Sequence, residues 1–435
     1  MTASASAARA APVPDTRPPG APDSSGRGDG PGIARWGGRA GSIGPLRLHQ
    51  LVLFEIAGAL LLCAWVVDPL LLAPASVPAA LLVVFAVVRR RRRSLPALLH
   101  AVLALRARHR RAASTGPAAG TEPGIAPVAE CEPALRTHSF GGRDRRPVGM
   151  IGDGTYLTAV LRIDADGTAL RQDRSARPLP LALVRDALDV DGIRLESAQI
   201  VQHTQPAPAP RLPAQSVAAR NYAPLQAGTG SPAVRITWIA LKLAPELCPE
   251  AVRARGGGLA GAQKCLVRAA DQLAGRLTGA GLSATVLTEQ ELAAAIATST
   301  CASPSATARA GRDGEPVRRT RETSRTWSCD DRPHTTYWVR RWPELGGGAP
   351  MPQLVALLTS VPALATTFSL TLGHGDRQEI TITGHVRVTG RDDRELLAAR
   401  HELERTAHGV RTSLVRLDRE QLPGLLATLP LGGTG

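Results

Sequence analysis

Cys329, Asp330, Asp331 and His334 fall within six residues of one another, and a carboxylate pair beside a histidine is the raw material of a metal site or of acid–base catalysis. Paired acids just ahead of a strand more commonly make turn hydrogen bonds, and that is the preferred reading of this cluster. His401 and Glu402 open like the zinc-protease pattern H-E-x-x-H, with His408 further along the same helix face, but the second ligand position holds Arg405 and the pattern fails. Gly256 to Gly261 has the glycine content of a phosphate loop. Ala262 and Gln263, however, separate its last glycine from Lys264, Cys265 stands where a hydroxyl is needed, and an ordinary helix start is expected. No G-x-S-x-G elbow, G-x-G-x-x-G fingerprint or H-E-x-x-H helix occurs. The residues therefore assign no catalytic position, no cofactor and no metal.

Composition narrows the alternatives further. The chain has 435 residues and a net charge of +15, with a pI near 10.9, which would ordinarily raise nucleic acid or anionic lipid as partners. Lys242 and Lys264 are the only lysines, so the basic charge is almost wholly arginine in an Ala/Gly/Pro-rich background, and aromatic residues that would stack bases are few. Anionic lipid is the simpler partner and nucleic acid is not expected. The cysteines, Cys63, Cys131, Cys248, Cys265, Cys301 and Cys329, contain no C-x-x-C pair and imply neither a disulfide framework nor a zinc site.

The strongest patterning lies near the start. Two apolar stretches, 51–67 and 70–88, adjoin at Asp68-Pro69, and the second runs into Arg89, Arg90, Arg91, Arg92 and Arg93. Each is just long enough for a hydrocarbon core of about 30 Å. Proline breaks the helix at the junction. A two-helix transmembrane hairpin is expected, and the arginines on both flanks place both termini in the cytoplasm. Glu55 is the one charge at membrane depth. It either contacts a partner or snorkels to the cytoplasmic interface.

Around this hairpin (46–93 with its arginine block) the chain divides into a disordered tail over 1–45, a juxtamembrane helix and linker over 94–132, and a cytoplasmic α/β domain over 133–435. Apolar spacing predicts an amphipathic helix over 95–108 and a Pro/Gly/Ala linker over 112–132, with loop inserts near 205–230 and 299–323. Within the domain, Val148 to Ile163 reads as a hairpin turning at Gly152-Asp153-Gly154. A short helix near 181–188, strands over 198–203, 335–342 and 367–372, and a helix over 353–358 complete the reading. An internal echo stands out. The strand 234–243, helix 259–277, strand 284–287 and a helix entered through Thr288 and Glu291 are matched by strand 380–388, helix 395–408, strand 412–417 and a helix entered through Asp418 and Gln421. Each final helix has the form of a capping box. The fold class is thus a mixed α/β (α+β) domain with an internal strand-helix-strand-helix duplication behind a membrane hairpin.

The hairpin with cytoplasmic ends, the arginine-flanked exit, the stretch Val148-Gly-Met-Ile-Gly-Asp-Gly154 and the strand Tyr337-Trp-Val-Arg-Arg-Trp-Pro343 together resemble EccE, a membrane component of the type VII (ESX) secretion system of actinobacteria. The resemblance runs from about Leu46 to the end, while the N-terminal tail and the 299–323 insert have no counterpart in it. It implies a non-enzymatic structural subunit in the plasma membrane, assembled with EccB, EccC and EccD, of which EccC is the ATPase. The competing reading from the residues alone is a membrane-tethered enzyme, glycosyltransferase-like or hydrolytic, built on Asp330, Asp331 and His334. A nucleic-acid binder would rest on charge alone.

Overall fold

The computed structural model describes residues 42–43, 46–87, 89–90, 93–114, 122–141, 146–164, 178–205, 216–217, 220–221, 234–310, 318–343, 351–375 and 379–433. The expected tail over 1–45 and most of the loop insert over 205–230 lie outside them.

Two helices stand where the hairpin is expected. Helix α1 (Leu48–Val67) is followed by a single 3-10 turn (Pro69–Leu71) and helix α2 (Leu72–Val87). Asp68 caps the turn, its Oδ1 accepting from Leu70 N at 2.9 Å, which explains why an aspartate precedes the proline. Membrane spanning is another matter: among the described residues no helix is long and apolar enough to cross a membrane. The 16 residues of α2 rise about 24 Å, against the roughly 30 Å required. The two full-length spans read from the sequence are not borne out there. Helix α3 (Leu95–Ser114) extends the expected amphipathic helix by six residues.

The expected linker over 112–132 needs correction. Its second half holds a short helix, α4 (Ala126–Ala129), and Ile125 and Val128 are buried in the core. Two apolar residues three apart on one helical turn are enough to anchor it.

The rest is built on one twelve-stranded antiparallel sheet with helices on both faces, beside a small pair formed by Asp189–Val190 and Ile193–Arg194. Its first half runs β1 (Arg136–Phe140), β2 (Val148–Gly152), β3 (Leu157–Asp164), α5 (Leu181–Asp186), β4 (Ser197–Gln205), β5 (Val234–Leu243), α6 (Pro249–Ala254), α7 (Gly258–Gly279), β6 (Ser283–Val286) and α8 (Glu289–Ser299). The connecting helix α9 (Pro304–Ala310) follows. The second half runs β7 (Thr320–Glu322), β8 (Trp327–Cys329), β9 (Arg332–Arg341), α10 (Met351–Thr359), β10 (Ala365–His374), β11 (Ile380–Thr389), α11 (Asp393–Gly409), β12 (Ser413–Arg416) and α12 (Gln421–Leu426). The spatial order is β7-β8-β9-β11-β10-β4-β5-β3-β2-β1, with β6 added to β3 and β12 to β9. Read outward from the β10–β4 pair, the two halves are the same arrangement. The internal echo seen in the sequence is therefore one portion of a repeat that spans the whole sheet.

Register makes the correspondence quantitative. Val286 pairs with Leu161 and Arg416 with Tyr337; Leu161 then pairs with Ile239 and Tyr337 with Val386. Ile239 pairs with Ile200 and Val386 with Phe368. Carried one residue further, Val201 corresponds to Ser369, and these two are themselves cross-strand partners, so a pseudo-twofold axis passes between them. One non-sheet bond repeats as well: Leu287 N donates to Val160 O at 2.9 Å and Leu417 N to Thr336 O at 3.1 Å.

The alternation of each strand divides the core. Leu161, Ile239 and Leu241 face α5, α6, α7, α10 and α11, whereas Val160, Trp238 and Ala240 face α4, α8 and α12. Helix α7 buries Ala262, Cys265, Leu266, Ala269, Leu273 and Leu277 along one stripe. Gly261 lies where a Cβ would meet Val252 O at 2.4 Å, so glycine is what lets α7 close on α6. At the β2–β3 turn, Asp153 Oδ1 accepts from Thr155 N at 2.8 Å, and Gly154 sits at φ +97°.

The capping box at Thr288 and Glu291 forms as read, with Thr288 N donating to Glu291 Oε2 at 2.9 Å. Its counterpart at Asp418 and Gln421 does not. Asp418 is drawn to Arg416, and Gln421 turns into the sheet, where Oε1 accepts from Thr336 N at 2.9 Å and Nε2 donates to Leu417 O at 2.8 Å.

Each half ends by crossing to the other. Beyond α12, Ala427 O accepts from Gln199 Nε2 at 2.8 Å, Gly432 N donates to Gln199 Oε1 at 2.9 Å, and Ser197 and Thr158 donate to Gly432 O and Leu431 O. At the end of α8, Ser299 meets Arg387 on β11, and Ser303 N donates to Asp330 Oδ2 at 2.6 Å. Leu429 on the C-terminal crossing is fully buried. Leu429→Ala is expected to cost about 2–5 kcal/mol, read as a lowered urea midpoint of the whole protein in one transition rather than loss of the second half alone.

Candidate functional site

Three places hold side chains with chemical potential: the Asp330 turn, the polar interior beneath α8, and the N-terminal helical end.

At the turn between β8 and β9, Asp330 adopts φ +53° and receives Arg319 through two bonds of 2.9 Å, from Nε to Oδ1 and from Nη2 to Oδ2. The Asp330 carboxylate raises Arg319 further above its usual range. Asp331 points outward, 3.3 Å from Arg332 Nε. Cys329 is buried, and burial pushes its thiol well above the ordinary range, which removes it as a nucleophile. His334 does not join these groups. Its Nδ1 lies 2.8 Å from Thr389 Oγ1, and its ring packs at a tilt of 52° against Trp327, 5.1 Å between centroids. The acids make ion pairs rather than the turn hydrogen bonds expected of them, and while Cys329 Sγ lies 3.9 Å from Asp330 Oδ2, His334 is turned to Thr389 instead.

The other sequence candidates are equally dispersed. His401 and His408 are exposed on α11, where Arg405 pairs with Glu402 at 2.8 Å. Gly256 and Gly257 precede α7, with Lys264 exposed. A cavity of about 570 Å³ is lined by Arg185, Asp186, Asp189, Asp191, Gln272 and Arg276, none of which the sequence singled out. Two of its acids are already paired, Asp186 with Arg185 and Asp191 with Arg268, and Asp189 lies 3.6 Å from His374 Nε2.

Sequence reasoning missed the polar interior. One row across the sheet runs Thr336, Arg387, Thr367 and His203, and a neighbouring row runs Trp327, His334 and Thr389. Arg387 is fully buried. Its Nη2 donates to Ser299 O, to Ser299 Oγ at 3.1 Å and to Thr367 Oγ1 at 3.2 Å, while Nε and Nη1 have no partner among the described residues. Burial lowers its pKa to about 10, opposed by the Cys301 and Cys329 thiols. His203 bonds Thr367 Oγ1 through Nδ1 at 2.8 Å and receives Gln205 Nε2 at Nε2 at 2.9 Å, a pairing that suits the neutral ring. Burial first, and Arg387 second, hold its pKa down at about 3. Burial also lowers His334 well below the usual range and His385 to about 4. In the strand 380–389 these polar residues alternate with Ile382, Val386 and Val388, which reads as a half-solvated strand. The crossing of α8 over that face is what buries it.

At the N-terminal helical end, Asp68 and Pro69 lie in the turn between α1 and α2, and Glu55 is exposed on α1. Arg89–Arg90 and Arg93–Ser94 form a two-residue antiparallel pair. Arg91 and Arg92, and the side chains of the whole block, lie outside the described residues. Helix α3 is fastened to the sheet domain: Arg108 Nε and Nη2 donate to Glu322 at 2.8 and 2.9 Å, and Nη2 also to Arg419 O at 2.8 Å. Glu322 Oε1 in turn accepts from Leu422 N at 3.0 Å.

Comparison with known families fits this picture at its centre. Residues 231–339 match the EccE family model, a putative type VII ESX secretion system translocon. It is the family that the sequence resembles. The EccE match runs from the start of β5 through α7, α8 and β8 into β9, and so straddles the junction of the two halves. EccE is a component of a secretion system rather than a known enzyme family. The chain matches no curated protein significantly.

The buried neutral histidines generate a pH dependence. Their pKa values are lower in the folded state than in the unfolded chain, so below about 6.5 the unfolded state takes up more protons and stability falls with pH. Urea midpoints are expected to be flat between about pH 7 and 8 and to decline from about pH 6.5 downward, and His203→Asn is expected to shallow that acid-side decline.

Proposed function

We propose that this protein is a non-enzymatic structural subunit of the type VII secretion complex, anchored in the plasma membrane by the α1–α2 hairpin and packed through its sheet domain against EccB, EccC and EccD. The observation that carries the reading is the EccE match over the middle of the sheet. The hairpin supports the anchoring. Trp65 is 60% exposed, Val67 75% and Leu70 82%, an apolar surface that a free helix pair would not keep in water. The two-pass topology with both termini cytoplasmic is part of the proposal and rests on the arginines that flank the hairpin in sequence, not on helix length. The non-enzymatic role is supported by the commitment of Asp330 to Arg319 and of His334 to Thr389.

Isolation of the complex from native membranes is expected to bring the EccB, EccC and EccD counterparts down with a tagged form of this chain. Recovery of a solitary monomer would overturn the assembly role. The turn supplies a separate check on topology: Asp68→Cys is expected to react with a membrane-impermeant maleimide added outside intact cells. Labelling only after permeabilisation would mean that the hairpin re-enters on the cytoplasmic side.

A further inference from the structure

Helix α3 has two unlike faces. Ala101 is buried and Leu98, Val102, Leu105 and Arg108 are half-buried on the side fastened to the sheet domain. On the other side Leu99 is 51% exposed and Leu103 53%. Arg106 and Arg110 are exposed seven residues beyond each of these leucines, which at 100° per residue places all four on one stripe. The stripe is apolar where α3 leaves the hairpin and basic where it nears the sheet. Its direction is fixed, because Arg108, facing the opposite way, is held by Glu322 and by Arg419 O, and His109 Nε2 lies 3.1 Å from Glu322 O.

We infer that this stripe is a lipid-contact surface: Leu99 and Leu103 enter the headgroup–acyl boundary of an anionic leaflet, and Arg106 and Arg110 pair with lipid phosphates. The inference rests on the anchoring reading and adds to it. Two leucines a turn apart bury modest apolar area by themselves, but beside an anchored hairpin they need only orient the domain. Charge selects the occupant, since a guanidinium pair next to an apolar edge matches the phosphate layer above acyl chains. The Arg108 clamp then carries the orientation of α3 into the sheet, so that lipid contact would set how the domain stands on the membrane.

The full chain, with Cys131→Ser throughout, is reconstituted into phosphatidylcholine vesicles with or without about 30% phosphatidylglycerol. A fluorophore is attached either to the native Cys63 on α1 or, in a Cys63→Ser background, to Leu99→Cys. Spin-labelled lipids serve as quenchers. The inference expects quenching at Cys63 in both vesicles and quenching at position 99 that rises about threefold with phosphatidylglycerol, the rise disappearing in Arg106→Glu/Arg110→Glu. Quenching at Cys63 without quenching at position 99 would overturn the lipid contact, giving this face to protein or water and leaving the anchoring intact. Quenching at neither site would overturn the anchoring and the inference with it. Equal quenching at position 99 in both vesicles would overturn the arginine–phosphate pairing.

Discussion

The pairing of β4 with β10 is the bond on which the rest of the molecule depends. It joins two halves that share one order of strands and helices, and among the described residues it is the only strand pair in the sheet's main path that couples them. Val201 and Ser369 face each other at its centre. A slip of one residue there would turn every side chain of one half to the wrong face. The sheet is held against such a slip from above: Gln199 on β4 bonds both Ser369 Oγ and the backbone of the C-terminal crossing.

The crossings explain why the interior is polar. A helix that stays over its own strands can be buried through a nearly all-apolar stripe, as α7 is through Ala262, Cys265, Leu266, Ala269, Leu273 and Leu277. A segment that crosses to the other half ends there, and its last carbonyl groups need donors. Arg387 supplies one such donor to Ser299 O, and Gln199 supplies another to Ala427 O. The two solutions are chemically unequal. Gln199 is neutral and bonded at both ends, whereas Arg387 brings a charge into a site whose nearby imidazoles are held neutral, a costly arrangement in a low dielectric.

Much of this was legible in the residues, and the failures have physical causes. The turn at Asp68-Pro69, the hairpin at Asp153-Gly154, the amphipathic helix after the arginines and both strand-helix-strand-helix units announce themselves through local chemistry: caps, turn residues and periodicity. The second capping box misled because Gln421 had a better partner in Thr336 N, 85 residues away. The polar interior was hidden by the alternation of β11, whose histidine, arginine and threonines look solvent-facing until a helix from the other half covers them. Glu322 gave no local signal at all. Its role exists only because Arg108, 214 residues earlier, returns to it.

The C-terminal crossing has a consequence for how the protein is made. Gly432 bonds Gln199 across 233 residues, and β4 must wait for β10 before its open edge is covered. During synthesis the first half emerges complete in sequence but unfinished in structure, with an unpaired strand edge and an uncovered apolar face. If the hairpin has already entered the membrane by then, that unfinished half is held at the bilayer surface, away from other nascent copies. Closure falls to the segment beyond α12, which makes Ala427 to Gly432 the latch of a domain begun some three hundred residues before.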